Sequence, residues 1–363
     1  MNILFADLDR EWRGGQSQAL LTLRGLRGAG HHVQLLAAAR SPIATRSSAA
    51  GIAVNEVPRF ALRFSAAQSI KKLLANGNFH LLHINEPHAL TAAWLAGAHH
   101  RLPLLFSRRI GFPLGKSWVS RARYGAVARF LPNSKAVAQS LVDCGIDPRR
   151  ISVIHEGVEI PTLTTTEQRN AARRQWKIAE NDFLFGCVSV LVPEKGQRHL
   201  VAAMPTLRTA FPNARLLLAG DGPTRPELAS LIHQLHQQDA VLMPGFVQDV
   251  AAVYAALDAF VFPSEFEGLG TALQSAMALA LPCVSTSRGA LGEVVRHNES
   301  ALVAEPNAQQ FATAMQLLML DAALRRRLGD AARQEVQKCF SAERMVVNTI
   351  SVYEEVLRVA EKS

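Results

Sequence analysis

Residues 262–295 read FPSEFEGLGTALQSAMALALPCVSTSRGALGEVV. A short apolar run ends at Phe262, a carboxylate stands alone at Glu267, and the loop Gly268-Leu269-Gly270-Thr271 leads into a run of small residues over 271–280. A second apolar run and a second loop follow. Strand, glycine loop, helix, strand is the unit from which parallel sheets covered by helices are assembled. The two glycines let the backbone approach a ligand closely, and the free N–H groups that open the helix point at the same place. A loop of this kind holds an anionic ligand that also carries hydroxyls.

The pattern repeats outward in both directions. Apolar runs predict strands over 3–6, 32–37, 53–57, 81–84, 104–107, 129–132 and 151–154, then over 183–191, 214–219, 241–243, 259–262, 282–286 and 301–303, with helical periodicity between them. The fold class is therefore α/β, with two doubly wound Rossmann-like sheets. Residues 159–167, rich in Thr and without apolar periodicity, read as the linker between a domain over 1–160 and a domain over 168–341. A last helix, within 342–363, comes after the second sheet is complete.

Composition agrees with two ordinary cores. A chain of 363 residues with 48% hydrophobic and 19% charged residues suits two domains of a folded protein rather than a disordered one. No apolar run reaches the roughly 18–20 residues that cross a bilayer. Met1-Asn2-Ile3-Leu4-Phe5-Ala6 enters a strand without a basic leader, so the expected place is the cytoplasm. Cys144, Cys187, Cys283 and Cys339 have neither zinc spacing nor the density of a disulfide scaffold, and no bound metal is expected. Residues 1–163 carry 20 Lys and Arg against 9 Asp and Glu, a charge of +11; residues 164–363 carry 19 against 21, a charge of −2, and the net is +9. Half of those 20 cations lie between Arg101 and Arg150. No nucleic-acid recognition motif accompanies the charge, which points instead to an acidic acceptor or an anionic membrane surface, peripheral on the inner face of the cytoplasmic membrane.

The stretch around Glu267 resembles the donor-sugar signature of the family-four retaining glycosyltransferases of the GT-B fold, the glycosyl transferases group 1. In that signature a Glu, seven residues and a second Glu flank a glycine loop and lead into an Ala-Met-Ala helix. Glu267 and Ala276-Met277-Ala278 match; the second acid is replaced by Ser275. A Ser hydroxyl offers a ribose about 1 kcal/mol where a carboxylate offers about 1.5–3. Glu11-Trp12-Arg13-Gly14-Gly15-Gln16 with Gly28-Ala29-Gly30-His31-His32-Val33 looks like the family's first loop. Val188-Ser189-Val190-Leu191-Val192-Pro193-Glu194-Lys195-Gly196 looks like its diphosphate loop, with Val190 where the family commonly has Arg. Either Lys195 works there with backbone amides alone or Arg198 takes part.

Gly220-Asp221-Gly222-Pro223 and Gly245-Phe246-Val247 follow strands in the order the family uses, the second lying near the nucleotide base. His83-Ile84-Asn85-Glu86-Pro87-His88, Ser107-Arg108-Arg109, Asn133-Ser134 and Glu156-Gly157-Val158-Glu159 complete the run of matches.

The resemblance implies two domains facing across a cleft, with the last helix packing back on the first. It also implies transfer of a sugar from a nucleotide-diphosphate sugar to a glycolipid, lipopolysaccharide or other cell-envelope glycan, with retention and without a metal. It makes Glu267, Lys195 and Arg109 catalytic. Gly15, Lys195, Gly222, Phe246, Val247, Glu267, Gly268, Leu269, Gly270, Thr271 and Ser275 bind the donor. Gly14, His83, His88 and Arg108 lie on the acceptor side. Two other readings fit the same motifs: a nucleotide-sugar epimerase of this fold, and a catalytically weakened relative that keeps donor binding.

Overall fold

The structure, a computed structural model, describes residues 1–109, 111, 114–115 and 117–360. Its contacts divide the chain into two units, Met1–Gly157 joined by the segment from Ala342, and Val158–Ser341.

In the first unit six parallel strands, β1 (Asn2–Asp7), β2 (His32–Ala38), β3 (Ala53–Val57), β4 (Leu81–Ile84), β5 (Leu104–Arg108) and β6 (Arg129–Pro132), form a sheet in the order β3-β2-β1-β4-β5-β6. Both faces are covered, which is why the strands read as unbroken apolar runs. In β1, Ile3 and Phe5 enter one core while Leu4 and Ala6 enter the other, and all four are fully buried. The second unit repeats the design with β7 (Phe183–Val188), β8 (Ala214–Ala219), β9 (Val241–Gly245), β10 (Ala259–Phe262), β11 (Cys283–Ser285) and β12 (Leu302–Val303), ordered β12-β11-β10-β7-β8-β9. The strand order reverses between β1 and β4 in one sheet and between β7 and β10 in the other. Open α/β sheets take ligands at the carboxyl ends of strands that flank such a reversal.

Two expected strands are corrected. Residues 151–154 form only an isolated bridge, Phe130 with Ile151. Ser152 N–H and Ile154 N–H donate to the carbonyls of Phe130 and Pro132, both at 2.9 Å, but Pro132 has no N–H to return, so the ladder is one-sided. The strand expected over 183–191 ends at Val188, because Leu191 N–H turns away to the carbonyl of Asp221 at 3.0 Å.

The last helix, Ala342–Ala360, belongs to the first unit and buries Met345, Val346, Thr349, Val352, Tyr353 and Val356. It packs against the helix Gly14–Gly28, where Gly25 permits close approach: a Cβ there would sit 2.2 Å from Cγ2 of Val346. Val346 cannot swing aside, since a β-branched residue in a helix holds one χ1 rotamer. Gly25→Ala adds about 1 kcal/mol of helix propensity and costs about 1–3 kcal/mol in overpacking. The clash wins, and we expect the variant to lower the midpoint of chemical denaturation of the first unit; an unchanged or raised midpoint would contradict this packing.

Candidate active site

In the second unit the chain leaves β7 through a single 3-10 turn, Pro193–Lys195, and enters the helix Gln197–Ala210 at Gly196. Gly196 has φ +65°, and a Cβ on it would lie 2.4 Å from the carbonyl oxygen of Pro263. Only glycine lets this turn close on the loop that follows β10. The two loops are then tied by backbone, as the carbonyl of Glu194 accepts from Glu265 N–H at 2.8 Å and Phe266 N–H at 3.3 Å. That closure brings Lys195 Nζ into a direct ion pair with the carboxylate of Glu267. Lys195 also lies 6.0 Å from the ring centre of Phe262.

Both side chains are largely withdrawn from water, 19% and 14% exposed, a costly state for a lone charge and a tolerable one for a pair. Glu267 is held further by Ser264 Oγ at 3.3 Å and by Gly268 N–H at 3.2 Å. Gly270, φ +64°, opens the helix Thr271–Ala278 without a side-chain cap, so the first N–H groups of that helix have no side-chain acceptor. Gly289, φ +61°, lets the next loop pack on the carbonyl of Glu267, where a Cβ would come within 2.5 Å. A cation, a carboxylate and a helix N-terminus therefore share the carboxyl edge of β7 and β10.

The other residues expected to bind a donor sit in varied surroundings. Leu269 points into the core, so only its backbone is offered. Ser275 Oγ donates to the carbonyl of Thr271 at 2.9 Å. Val190 is half-exposed, and Gln197 Nε2 donates to its carbonyl at 2.9 Å and to Ser189 Oγ at 2.8 Å. Gly222 serves a chain crossing: a Cβ would meet the carbonyl oxygen of Leu191 at 2.3 Å. Phe246 is exposed and follows Gly245, which has φ +86°; Val247 is half-buried beside it. Arg198 lines a groove of about 390 Å³ with Val192, Glu194, Thr224, Glu227 and Phe266.

In the first unit a polar chain runs along the carboxyl edge of β1, β4 and β5. Gln16 Nε2 and Asn85 Nδ2 donate to Asp7 Oδ2 at 3.2 and 2.6 Å. Arg109 Nη1 donates to Asn85 Oδ1 at 2.8 Å, and Arg109 Nε lies 2.9 Å from Glu156 Oε1. Burial pushes the Asp7 carboxyl above its ordinary range, against the pull of those donors. Arg109 is thus already neutralised by Glu156 and braced on Asn85. A Cβ on Gly15 would only touch Arg109 Cδ at 3.7 Å, and one on Gly14 would meet nothing within 4 Å. Neither glycine is demanded by packing.

Two acceptor-side assignments are corrected. His83 is buried with both ring nitrogens engaged, Nδ1 with Tyr353 Oη and Nε2 with Ser107 Oγ at 2.7 Å. Burial, with Arg109 nearby, pushes it down to about 3, so it is a neutral core residue. Arg108 alternates to the opposite face of β5 from Ser107 and is buried beside Tyr124 and Cys144. His88 does remain exposed; its Nδ1 accepts from Arg63 at 3.0 and 2.7 Å, and burial together with that guanidinium lowers its pKa. Asn133 and Ser134 are buried, Ser134 capping the helix Lys135–Asp143.

Sequence reasoning overlooked Asp7 and Gln16. The available signal was an acid ending an apolar strand just before the Gly14-Gly15 loop. Among the described residues no helix is long and apolar enough to cross a membrane, and no group of three or more His, Cys, Asp or Glu could hold a metal.

The model of the family "Glycosyl transferases group 1" matches residues 168–335, and that of "Glycosyltransferase Family 4" matches residues 12–160. N-acetyl-alpha-D-glucosaminyl L-malate synthase of Bacillus anthracis is 32% identical over 188 residues, 51% of this chain and 49% of that protein. GDP-mannose-dependent alpha-(1-6)-phosphatidylinositol monomannoside mannosyltransferase of Mycobacterium tuberculosis is 31% identical over 178 residues, 46% of each. The chain spans about half the length of these curated relatives. Anabaena HepE, solved in complex with UDP, superposes with a TM-score of 0.86 over 98% of this chain and 100% of that one, at 20% identity. The two Rossmann-like units are those of the GT-B fold.

Glu86 supplies a test of the first unit's edge. It caps the helix Pro87–Leu95, accepting from Leu8 N–H at 3.2 Å and Ala89 N–H at 2.6 Å, yet burial, with Asp7 adding, pushes its carboxyl up to about 7. An acid whose folded pKa is raised binds its proton more tightly when folded, so its contribution is full below about 4.5 and is lost as pH rises towards 7. Unfolding free energy measured across that window should fall for the wild type, and Glu86→Gln should flatten the fall. Equal slopes for the two proteins would refute the assignment.

Proposed function

The chain belongs to the glycosyl transferases group 1, and we propose that it moves a sugar from a nucleotide-diphosphate sugar to an acceptor with retention of the anomeric configuration. The observation that carries this reading is the Lys195–Glu267 pair at the β7–β10 reversal, beside the uncapped start of the helix Thr271–Ala278.

Each partner suits one half of the donor. The diphosphate takes over Lys195, and the helix N-terminus spreads its developing charge, which is how leaving-group stabilisation is obtained from preorganised dipoles. Glu267, released from the lysine, accepts hydrogen bonds from sugar hydroxyls. In either state each buried charge keeps a partner: an opposite charge for Lys195, and an opposite charge or hydroxyl donors for Glu267. No side chain is assigned as base: the departing phosphate takes the acceptor proton, and orientation supplies the remaining advantage. The transfer is proposed to need no metal, since the cationic partners are the protein's own. Phe246 and Val247 lie by the base, and Ser275 gives the ribose a neutral bond.

We place the acceptor on the first unit, at the edge that carries Gly14 and His88. Arg109 is a positioning residue there rather than an anion binder, because Glu156 already holds its charge. A glycolipid or cell-envelope glycan is the class proposed. The lipid-linked substrate in the name of the mycobacterial relative and the UDP bound to Anabaena HepE support the acceptor and donor halves of the reading. The enzyme would then work in the cytoplasm, peripheral on the membrane's inner face. Val190 and Ser275 in place of the usual Arg and Glu favour a second reading, a relative that binds donor and transfers weakly; calorimetry with UDP and GDP followed by turnover assays separates the two.

Lys195→Ala should lower kcat/KM by the equivalent of about 2–4 kcal/mol; it should also lower the thermal midpoint, because Glu267 loses its cation, whereas Lys195→Ala combined with Glu267→Gln should recover the midpoint without recovering turnover. Turnover within threefold of wild type would remove Lys195 from the mechanism.

Glu267→Gln should reduce transfer without lowering nucleoside-diphosphate affinity, because in the complex its partner is the sugar and Lys195 no longer has to be released from a carboxylate. Ser275→Glu should leave that affinity equal or improved. Loss of UDP and GDP binding on Ser275→Glu, with Glu267→Gln silent, would show that the motif is read in the wrong register.

A further inference from the structure

The cations between Arg101 and Arg150, half of those in residues 1–163, are largely engaged inside the first unit. Arg109 pairs with Glu156, Arg129 with Glu355 and Ser152, and Arg149 with Asp147. Arg123 donates to Thr91, Arg150 to the carbonyls of Tyr124 and Gly125, and Arg108 is buried. Arg101, Arg121 and Lys135 stay exposed, so the segment keeps only part of its charge at the surface.

A different segment offers what they do not. Residues 57–85 contain Arg59, Arg63, Lys71 and Lys72 and no acid. Within it Phe60 is 89% exposed and Phe64 66%, and Phe60 is the most exposed large hydrophobic residue among those described. Water-facing phenylalanines four residues apart, ringed by cations, are not what a solvated helix start requires.

The local backbone holds them out. Ala61, φ +46°, takes the left-handed conformation that residues with a Cβ seldom adopt, and it reverses the chain between Phe60 and the helix Leu62–Asn76. Ser65 Oγ fixes the carbonyl of Phe60 at 3.2 Å, and Arg10 Nη2 fixes that of Arg59 at 2.8 Å. Arg59 spans the end of β2 through the carbonyls of Ala39 and Arg40 at 2.9 and 3.1 Å. On the helix, Ala66, Ala67 and Ile70 face the core, while Lys71, seven residues beyond Phe64, shares its outward face. Of the acids in this part of the unit, Glu11 pairs with Arg13, Glu56 accepts from Arg40 N–H at 3.3 Å, and Asp9 accepts from Arg10 N–H at 2.7 Å and Glu11 N–H at 3.2 Å. Arg63 reaches His88, so the patch adjoins the edge proposed for the acceptor.

We propose that Phe60 and Phe64, with the exposed cations Arg63, Lys71 and Lys72, form a docking surface for an anionic phospholipid bilayer. The aromatic rings enter the interfacial region while the cations meet lipid phosphates, each cation acting within a Debye length of the surface. The proposal rests on the reading of a lipid-linked acceptor only for its purpose; the surface itself is defined without it.

The test uses the whole chain and two kinds of vesicle, phosphatidylcholine alone and phosphatidylcholine mixed with phosphatidylglycerol. Wild type should sediment with the mixed vesicles at low salt and poorly with the neutral ones. Phe60→Ser with Phe64→Ser should weaken that partition about tenfold at unchanged net charge, because apolar insertion is lost. Lys71→Glu with Lys72→Glu should weaken it and reduce its salt dependence. Both variants should keep the thermal midpoint and the UDP affinity of the wild type, which separates a failed surface from a failed donor site. Equal partition of the phenylalanine pair variant and wild type would overturn the proposal. So would wild type that ignores the mixed vesicles, or a wild-type dimer in light scattering that the phenylalanine variant abolishes, which would make the patch an interface between copies.

Discussion

The second unit is organised around one contact, the carbonyl of Glu194 receiving the amides of Glu265 and Phe266. It joins the loops that leave β7 and β10, and it can form only because Gly196 carries no side chain against Pro263. Everything chemical in the unit follows. The lysine and the glutamate come from positions 72 residues apart and meet because their loops are tied. The same closure places the helix Thr271–Ala278 so that its uncapped end shares their edge. Burial then makes the pair interdependent, since either charge alone would sit in a poorly hydrated place.

The architecture was largely legible in the sequence, for a physical reason. Strands buried on both faces must be apolar throughout, so β1, β2, β4, β5, β8 and β10 announce themselves within a residue or two. The failures have equally specific causes. Proline at 132 silences one side of a ladder that hydropathy alone would extend to 151–154. The turn after Val188 is set by a backbone crossing with Gly222, which no periodicity records.

The site was legible in part. Glu267 and Lys195 could be singled out because a lone carboxylate and a lone lysine at glycine-marked strand ends have few structural reasons to be there. Side-chain orientation was not legible where histidine and arginine follow a strand. His83 looked like a ligand and is a core residue, because its strand position turns it towards Tyr353, 270 residues away. Arg109 looked like a free cation, and Glu156 holds it. Partners so distant in sequence leave no local trace.

That distant tyrosine has a consequence for how the protein is made. Val158–Ser341 is one continuous stretch and holds all it needs for its core as soon as it has been synthesised. The first unit is different: its helix Ala342–Ala360 comes last, and Tyr353, fully buried, is among the residues that close its core. Until that helix arrives, His83 and the apolar face of Gly14–Gly28 stand open to water. The sheet of the first unit, though made before that of the second, is therefore completed only after the second unit has been made. The order of synthesis and the order of completion are reversed, and the newborn chain is most vulnerable to aggregation and proteolysis along the face that its final helix will cover.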